Sequence, residues 1–155
     1  MAGDPKASDF YPADNPAAIA HINLIEGIIN RLANNSASCK TWCLTLVSAL
    51  LSFAGSAHNA AVMMVALIPI VVLGFLDARY LAQEKGYRGL YTEIVGKLRD
   101  GSYKLASDAF KAEAPTAKFS CALRSWSIWP MYLGLLALYA ACMVAWYFGL
   151  LVWPK

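Results

Sequence analysis

The sequence predicts an all-α membrane protein with three transmembrane helices, at about residues 41–56, 60–76 and 126–153, and amphipathic helices on the cytoplasmic side. Three observations carry this. Thr41–Leu76 is a run of 36 residues without Asp, Glu, Lys or Arg, after which the chain turns abruptly charged at Asp77, Arg79, Glu84, Lys85 and Arg88. Hydrophobic residues make up 59% of the 155 and charged residues 15%, with a mean hydropathy of +0.46, well above the apolar share of an ordinary soluble domain. Charge is also dealt out in blocks, charged stretches alternating with charge-free ones, as membrane chains arrange it.

A bilayer core about 30 Å thick takes about 20 residues of helix to cross. The run of 36 is too long for one crossing and suits two short ones. Its weak point is Gly55-Ser56-Ala57-His58-Asn59, small, polar and turn-prone. The expectation is a helical hairpin whose second helix leaves the membrane as a charged, tyrosine-rich helix.

The chain reads as one membrane domain over 1–155, taken in order as follows. Residues 1–15 form a polar, Pro-containing, flexible cytoplasmic leader. Asn15-Pro16 opens a helix, Asn as N-cap and Pro in the first turn. Over 16–40, Ile19, Ile22, Ile25, Ile29 and Leu32 recur every three or four residues, with His21, Asn23, Glu26, Asn30 and Arg31 on other faces. Asn34-Asn35-Ser36 is either a break or a point the helix runs straight through. Lys40 and Trp42 mark the interface, a cation to snorkel and an indole for the headgroup layer.

Within the hairpin, 41–76, the first span carries a hydroxyl stripe: Thr41, Thr45, Ser48, Ser52 and Ser56 share one face. Such side chains prefer a protein neighbour or water to acyl tails. They are read as close helix packing, with hydroxyls bonding back to carbonyls, or as the lining of a pore in an oligomer. Pro69 bends the second span. Because the hairpin is antiparallel, Asp77 falls at the depth of Lys40, which predicts an ion pair or hydrogen-bonded contact between them.

The connection, 77–125, starts with a helix to about Leu98 whose Tyr80, Tyr87, Tyr91, Ile94 and Leu98 share an apolar-aromatic face. Glu84 and Arg88 stand four apart, acid first, which favours a helical pair. Glu26 and Arg31 approach their level from the first helix, giving a cytoplasmic stalk or docking face. Asp100-Gly101-Ser102 ends the helix. A short amphipathic helix and a loop follow, broken at Ala114-Pro115. The last span, 126–153, is anchored by Arg124, Trp126 and Trp129 at one end and Trp153 and Lys155 at the other. Ala137, Ala141, Ala145 and Gly149 form a small-residue seam along it.

Lys and Arg number three before residue 41, nine in 77–125, none at the hairpin turn and one at the C-terminus. The positive-inside rule then puts the N-terminus in the cytoplasm and Lys155 outside, in a bacterial inner membrane the periplasmic side. The net charge of +3 is too small to argue for nucleic acid. Cys39 and Cys43 read as small apolar packing residues rather than metal ligands. No nucleotide, zinc-hydrolase or serine-hydrolase motif occurs, and no carboxylate lies deep in a span. The sequence points to no catalytic residue and no cofactor, and to the bilayer, further copies of the chain and a cytosolic protein as partners.

Two segments carry a resemblance. Ile25-Glu26-Gly27-Ile28-Ile29-Asn30-Arg31-Leu32-Ala33-Asn34-Asn35-Ser36, with Lys40 and Trp42, is one; Leu76-Asp77-Ala78-Arg79-Tyr80-Leu81-Ala82-Gln83-Glu84, with Tyr87-Arg88-Gly89-Leu90-Tyr91, is the other. Over about residues 20–95 they resemble small bacterial inner-membrane proteins of unsettled function, whose pattern is an R-x-A-x-N-S segment with K and W, then L-D-x-x-Y-L-x-x-E-x-x-x-R-x-L-Y after a hairpin. This chain reads Arg-Leu-Ala-Asn-Asn-Ser in the first motif. More loosely, it resembles membrane effectors of anti-phage systems, which implies oligomerisation and a breach of the inner membrane.

Overall fold

A computed structural model describes residues 15–57, 59–113 and 119–149. Of the described residues 84% are helical and none lies in a strand, and three helices are long and apolar enough to span a membrane. The elements are α1 (Pro16–Ala57), α2 (Ala60–Val65), α3 (Leu67–Arg99), α4 (Leu105–Asp108), α5 (Phe119–Leu123) and α6 (Trp129–Tyr147). The leader 1–14, His58, the Ala114-Pro115 break, Trp153 and Lys155 fall outside the described residues.

α1 begins as its first two residues dictate. The Asn15 side-chain oxygen accepts from the Ala17 N–H at 2.9 Å, and Pro16 sits where no N–H is missed. It passes Asn34-Asn35-Ser36 without a break, so of the two readings left open there the continuous helix holds: the amphipathic segment and the first span are one element. α1 ends at Ala57. Asn59, extended at φ −120°, caps α2 by accepting from the Ala61 N–H at 2.9 Å.

The second apolar helix is interrupted at Ala66, three residues before Pro69. Proline has no N–H to give to the carbonyl of Val65 four residues back, and its ring crowds that carbonyl. The last turn of α2 tightens instead, the Ala66 N–H reaching the Met63 and Met64 carbonyls. α3 ends at Arg99, two residues before Gly101, whose φ of +69° is reached without the penalty a Cβ imposes; the Ser102 and Tyr103 N–H groups fold back onto the Lys97 carbonyl at 2.9 and 3.1 Å.

The chain divides into two compact units. A polar unit takes residues up to Ala33 and Ala82–Ala117; an apolar unit takes Asn34–Leu81 and Lys118 onwards. The polar unit has its own core of Ala18, Ile25, Ile29, Leu90, Ile94 and Tyr103, with Ile22, Tyr87, Tyr91 and Leu98 packed against it. Burying each Ile or Leu stabilises it by about 1.5–3 kcal/mol. In the apolar unit the buried edge of α1 is Ser36, Cys39, Cys43, Val47 and Ala54. α6 packs through Tyr132, Leu135 and Tyr139. The Tyr132 ring lies on Gly74, where a Cβ would stand 3.3 Å from it, and its hydroxyl donates to the Leu73 carbonyl at 3.3 Å. The Tyr139 hydroxyl reaches Met64 Sδ at 3.5 Å. The last span therefore begins as helix at Trp129, not 126, because residues 125–128 are taken up by turns: the Ile128 N–H bonds to the Ser125 carbonyl at 3.0 Å.

Candidate functional site

The apolar unit holds a buried charge. Asp77 on α3 is fully buried and accepts a hydrogen bond from the Ser36 hydroxyl of α1. Lys40, one turn further along α1, brings Nζ to 2.8 Å from Asp77 Oδ1 and 2.7 Å from Oδ2, and to 2.9 Å from Ser36 Oγ. The positions follow from helix geometry: Ser36 and Lys40 are four apart on the α1 face that meets α3. The Lys40–Asp77 contact expected from hairpin depth is thus present; the part of Ser36, which the sequence marked only as a helix-break signal, is new. Oδ2 meets the ammonium as an ion pair without a well-aligned hydrogen bond of its own. Tyr132 of α6 also borders Asp77. A carboxylate here is tolerable only because the ammonium and hydroxyl replace the water it lost.

In the polar unit Glu84 is mostly buried and receives Arg88 Nε at 2.7 Å. The Glu26 carboxylate beside Tyr91 pushes its phenol above the ordinary range. Glu26, Ile29, Asn30, Arg88, Tyr91 and Thr92 line a shallow cleft of about 400 Å³. Arg31 is exposed and outside this cleft. Tyr80, half-buried in the apolar unit, is not part of the core that holds Tyr87 and Tyr91.

Two further clusters were not foreseen. His21 is fully buried; its Nδ1 is 2.9 Å from the Tyr103 hydroxyl and its Nε2 3.1 Å from the Lys111 carbonyl. The carbonyl can only accept, so Nε2 carries a proton directed at it. Phe110, at φ +57°, lays its ring 6.1 Å from the imidazole. Lys97 bridges Asp108 at 2.9 Å and Glu93 at 3.0 Å, while Asp108 Oδ2 accepts from the Lys104 N–H at 3.0 Å. Together they tie residues 103–111 onto α1 and α3. The apolar spacing put His21 on another face; it is instead buried with Ala18 and Ile25, three residues before it and four after, and that spacing was the available signal.

The two stripes lie outward. Thr41, Thr45, Ser48, Ser52 and Ser56 are all exposed, on the far side of α1 from Cys39, Cys43 and Val47. Thr41 donates to the Ala37 carbonyl at 3.2 Å, Thr45 to Thr41 at 2.9 Å and Ser56 to Ser52 at 3.0 Å. On α6, Ala137, Ala141 and Gly149 are exposed and Ala145 half-buried. The small seam is therefore not what packs α6 within the chain; the longer Tyr132, Leu135 and Tyr139 do that.

No family model, curated protein or solved structure matches the chain.

Proposed function

We propose that the protein is an oligomeric inner-membrane protein that opens or disrupts the membrane in response to a cytoplasmic signal. The observation that carries this is the exposed hydroxyl stripe of α1. Five hydroxyls on one outward face are misplaced for a helix whose only neighbour is lipid. Bonding back to the carbonyl one turn earlier lets such a face sit in hydrocarbon before assembly, yet leaves lone pairs that water can use after it. The exposed small seam of α6 offers the close approach that a neighbouring copy needs. The resemblance to membrane effectors points the same way, with the N-terminus cytoplasmic by the positive-inside rule.

The test is expression-dependent depolarisation. Wild-type protein is expected to collapse the membrane potential, and Ser48→Leu with Ser52→Leu to abolish that while leaving the protein in the membrane. A second reading has its own observation: the cleft at Glu26, Asn30, Arg88 and Tyr91 suits docking of a cytosolic protein by a non-conducting anchor. An intact potential with a soluble protein held through that cleft decides for the anchor.

A further inference from the structure

We propose that the surface built from α5 and the Arg79 turn of α3 binds the headgroups of anionic phospholipids. The inference rests on the reading that the long helices cross a membrane. Phe119, the first residue of α5, is held between two groups of α3. The Phe75 ring lies 5.3 Å from it at an interplanar angle of 58°, and the Arg79 guanidinium stands 5.8 Å over its centroid. A helix of five residues has little stability of its own, so this stack, with the burial of Ala122, helps to hold α5 in place.

Arg124 closes α5, its N–H bonded to the Ser120 carbonyl at 3.2 Å, and the chain then turns into α6 at Trp129. Arg79 and Arg124 are exposed, as are Leu123 and Trp129, and Trp126 is 87% exposed. No Asp or Glu follows Glu113 in the chain. On α3 the residues four before and four after Arg79 are Phe75 and Gln83, while Asp77 is buried against Lys40. The surface is thus cationic and aromatic, with no acid among the residues that build it save one already engaged.

Its place decides the partner. Trp126 stands three residues before the start of α6 and Arg79 three after the end of the charge-free run, so the surface lies at the ends of two spans, where headgroups must lie once those spans are in a bilayer. Exposed indoles partition there, guanidinium groups fork onto phosphate oxygens, and an anionic leaflet attracts each nearby cation. An acidic soluble protein would have to desolvate the same surface while displacing lipid from it.

The full-length protein, purified in detergent, is mixed with phosphatidylglycerol or phosphatidylcholine at equal concentration, and retained lipid is counted by native mass spectrometry. Phosphatidylglycerol is expected to be retained on the order of tenfold better. The preference is expected to shrink at about 0.5 M salt, where screening is short-ranged. It is expected to disappear in Arg79→Gln/Arg124→Gln. Because Arg79 also holds α5, Arg124→Gln alone and the salt series on wild-type protein stand independently of any loosening. Equal retention of the two lipids, a preference indifferent to salt, or full preference in the double variant would overturn the proposal. Carbonate extraction of expressing cells separates the premise: release of the chain from the membrane would overturn the spanning reading itself.

Discussion

Asp77 is fully buried, with Lys40 as its counter-ion. Removing that counter-ion by Lys40→Met leaves a buried carboxylate uncompensated, and such losses are worth about 3–5 kcal/mol. Replacing both partners with apolar residues removes the desolvation problem along with the attraction. Lys40→Met/Asp77→Leu is therefore expected to melt close to wild type in detergent, and Lys40→Met alone far below it. A double variant no more stable than the single would contradict this. In the polar unit, burial pushes the Asp108 carboxyl up, but Lys97, the Lys104 N–H and the charge of Lys111 outweigh it and hold the group below its ordinary value. Asp108 and then Glu93 raise the Lys97 ammonium. The signs set a window. A lowered carboxylate stabilises fully above its unfolded value near pH 4 and loses that as pH falls through its folded value; a raised ammonium stabilises fully below about pH 10.4 and loses that as pH rises through its folded value. Amide-exchange protection of residues 103–111 is expected to hold between those limits and to fall outside them, with Asp108→Asn removing the acid limb.

Among the elements, the helix contacts separate two kinds of glycine. Gly74 admits the Tyr132 ring, and a side chain there meets it at once; Gly27, also helical, has nothing within 4 Å of a Cβ. Gly74→Leu is expected to destabilise by about 1–3 kcal/mol through overpacking. Gly27→Ala should stabilise by about 0.5–1 kcal/mol through the chain entropy it removes. Thermal melts of both variants test this, and equal effects would contradict the α6 packing described. Much at this scale could be read from the residues. The charge-free run gave two apolar helices, Asn15-Pro16 gave a helix start, and antiparallel depth gave Lys40 opposite Asp77. What was not legible depends on long-range closure. His21 meets Tyr103 across 82 residues, and no local periodicity marks that pairing. Nor did the alanine spacing of α6 reveal its packing face, because Tyr132, Leu135 and Tyr139 reach further than Ala137 and Ala141 and so take the contact.

Among the described residues of the whole molecule, the α1 hydroxyls and the α6 small seam, apart from half-buried Ala145, lie exposed, and the proposed function assigns these faces to assembly. The claim is about water. In a monomer or a dry seam the hydroxyl face meets acyl chains or protein; in a pore it meets solvent. The direct measurement places single cysteines along α1, in a chain lacking Cys39, Cys43, Cys121 and Cys142, and labels them in intact membranes with a membrane-impermeant thiol reagent. Labelling is expected at positions 45, 48, 52 and 56, and protection at Leu44, Leu46 and Phe53, which are exposed on other sides of the same helix. Protection at all of these positions, or labelling without regard to face, would contradict it.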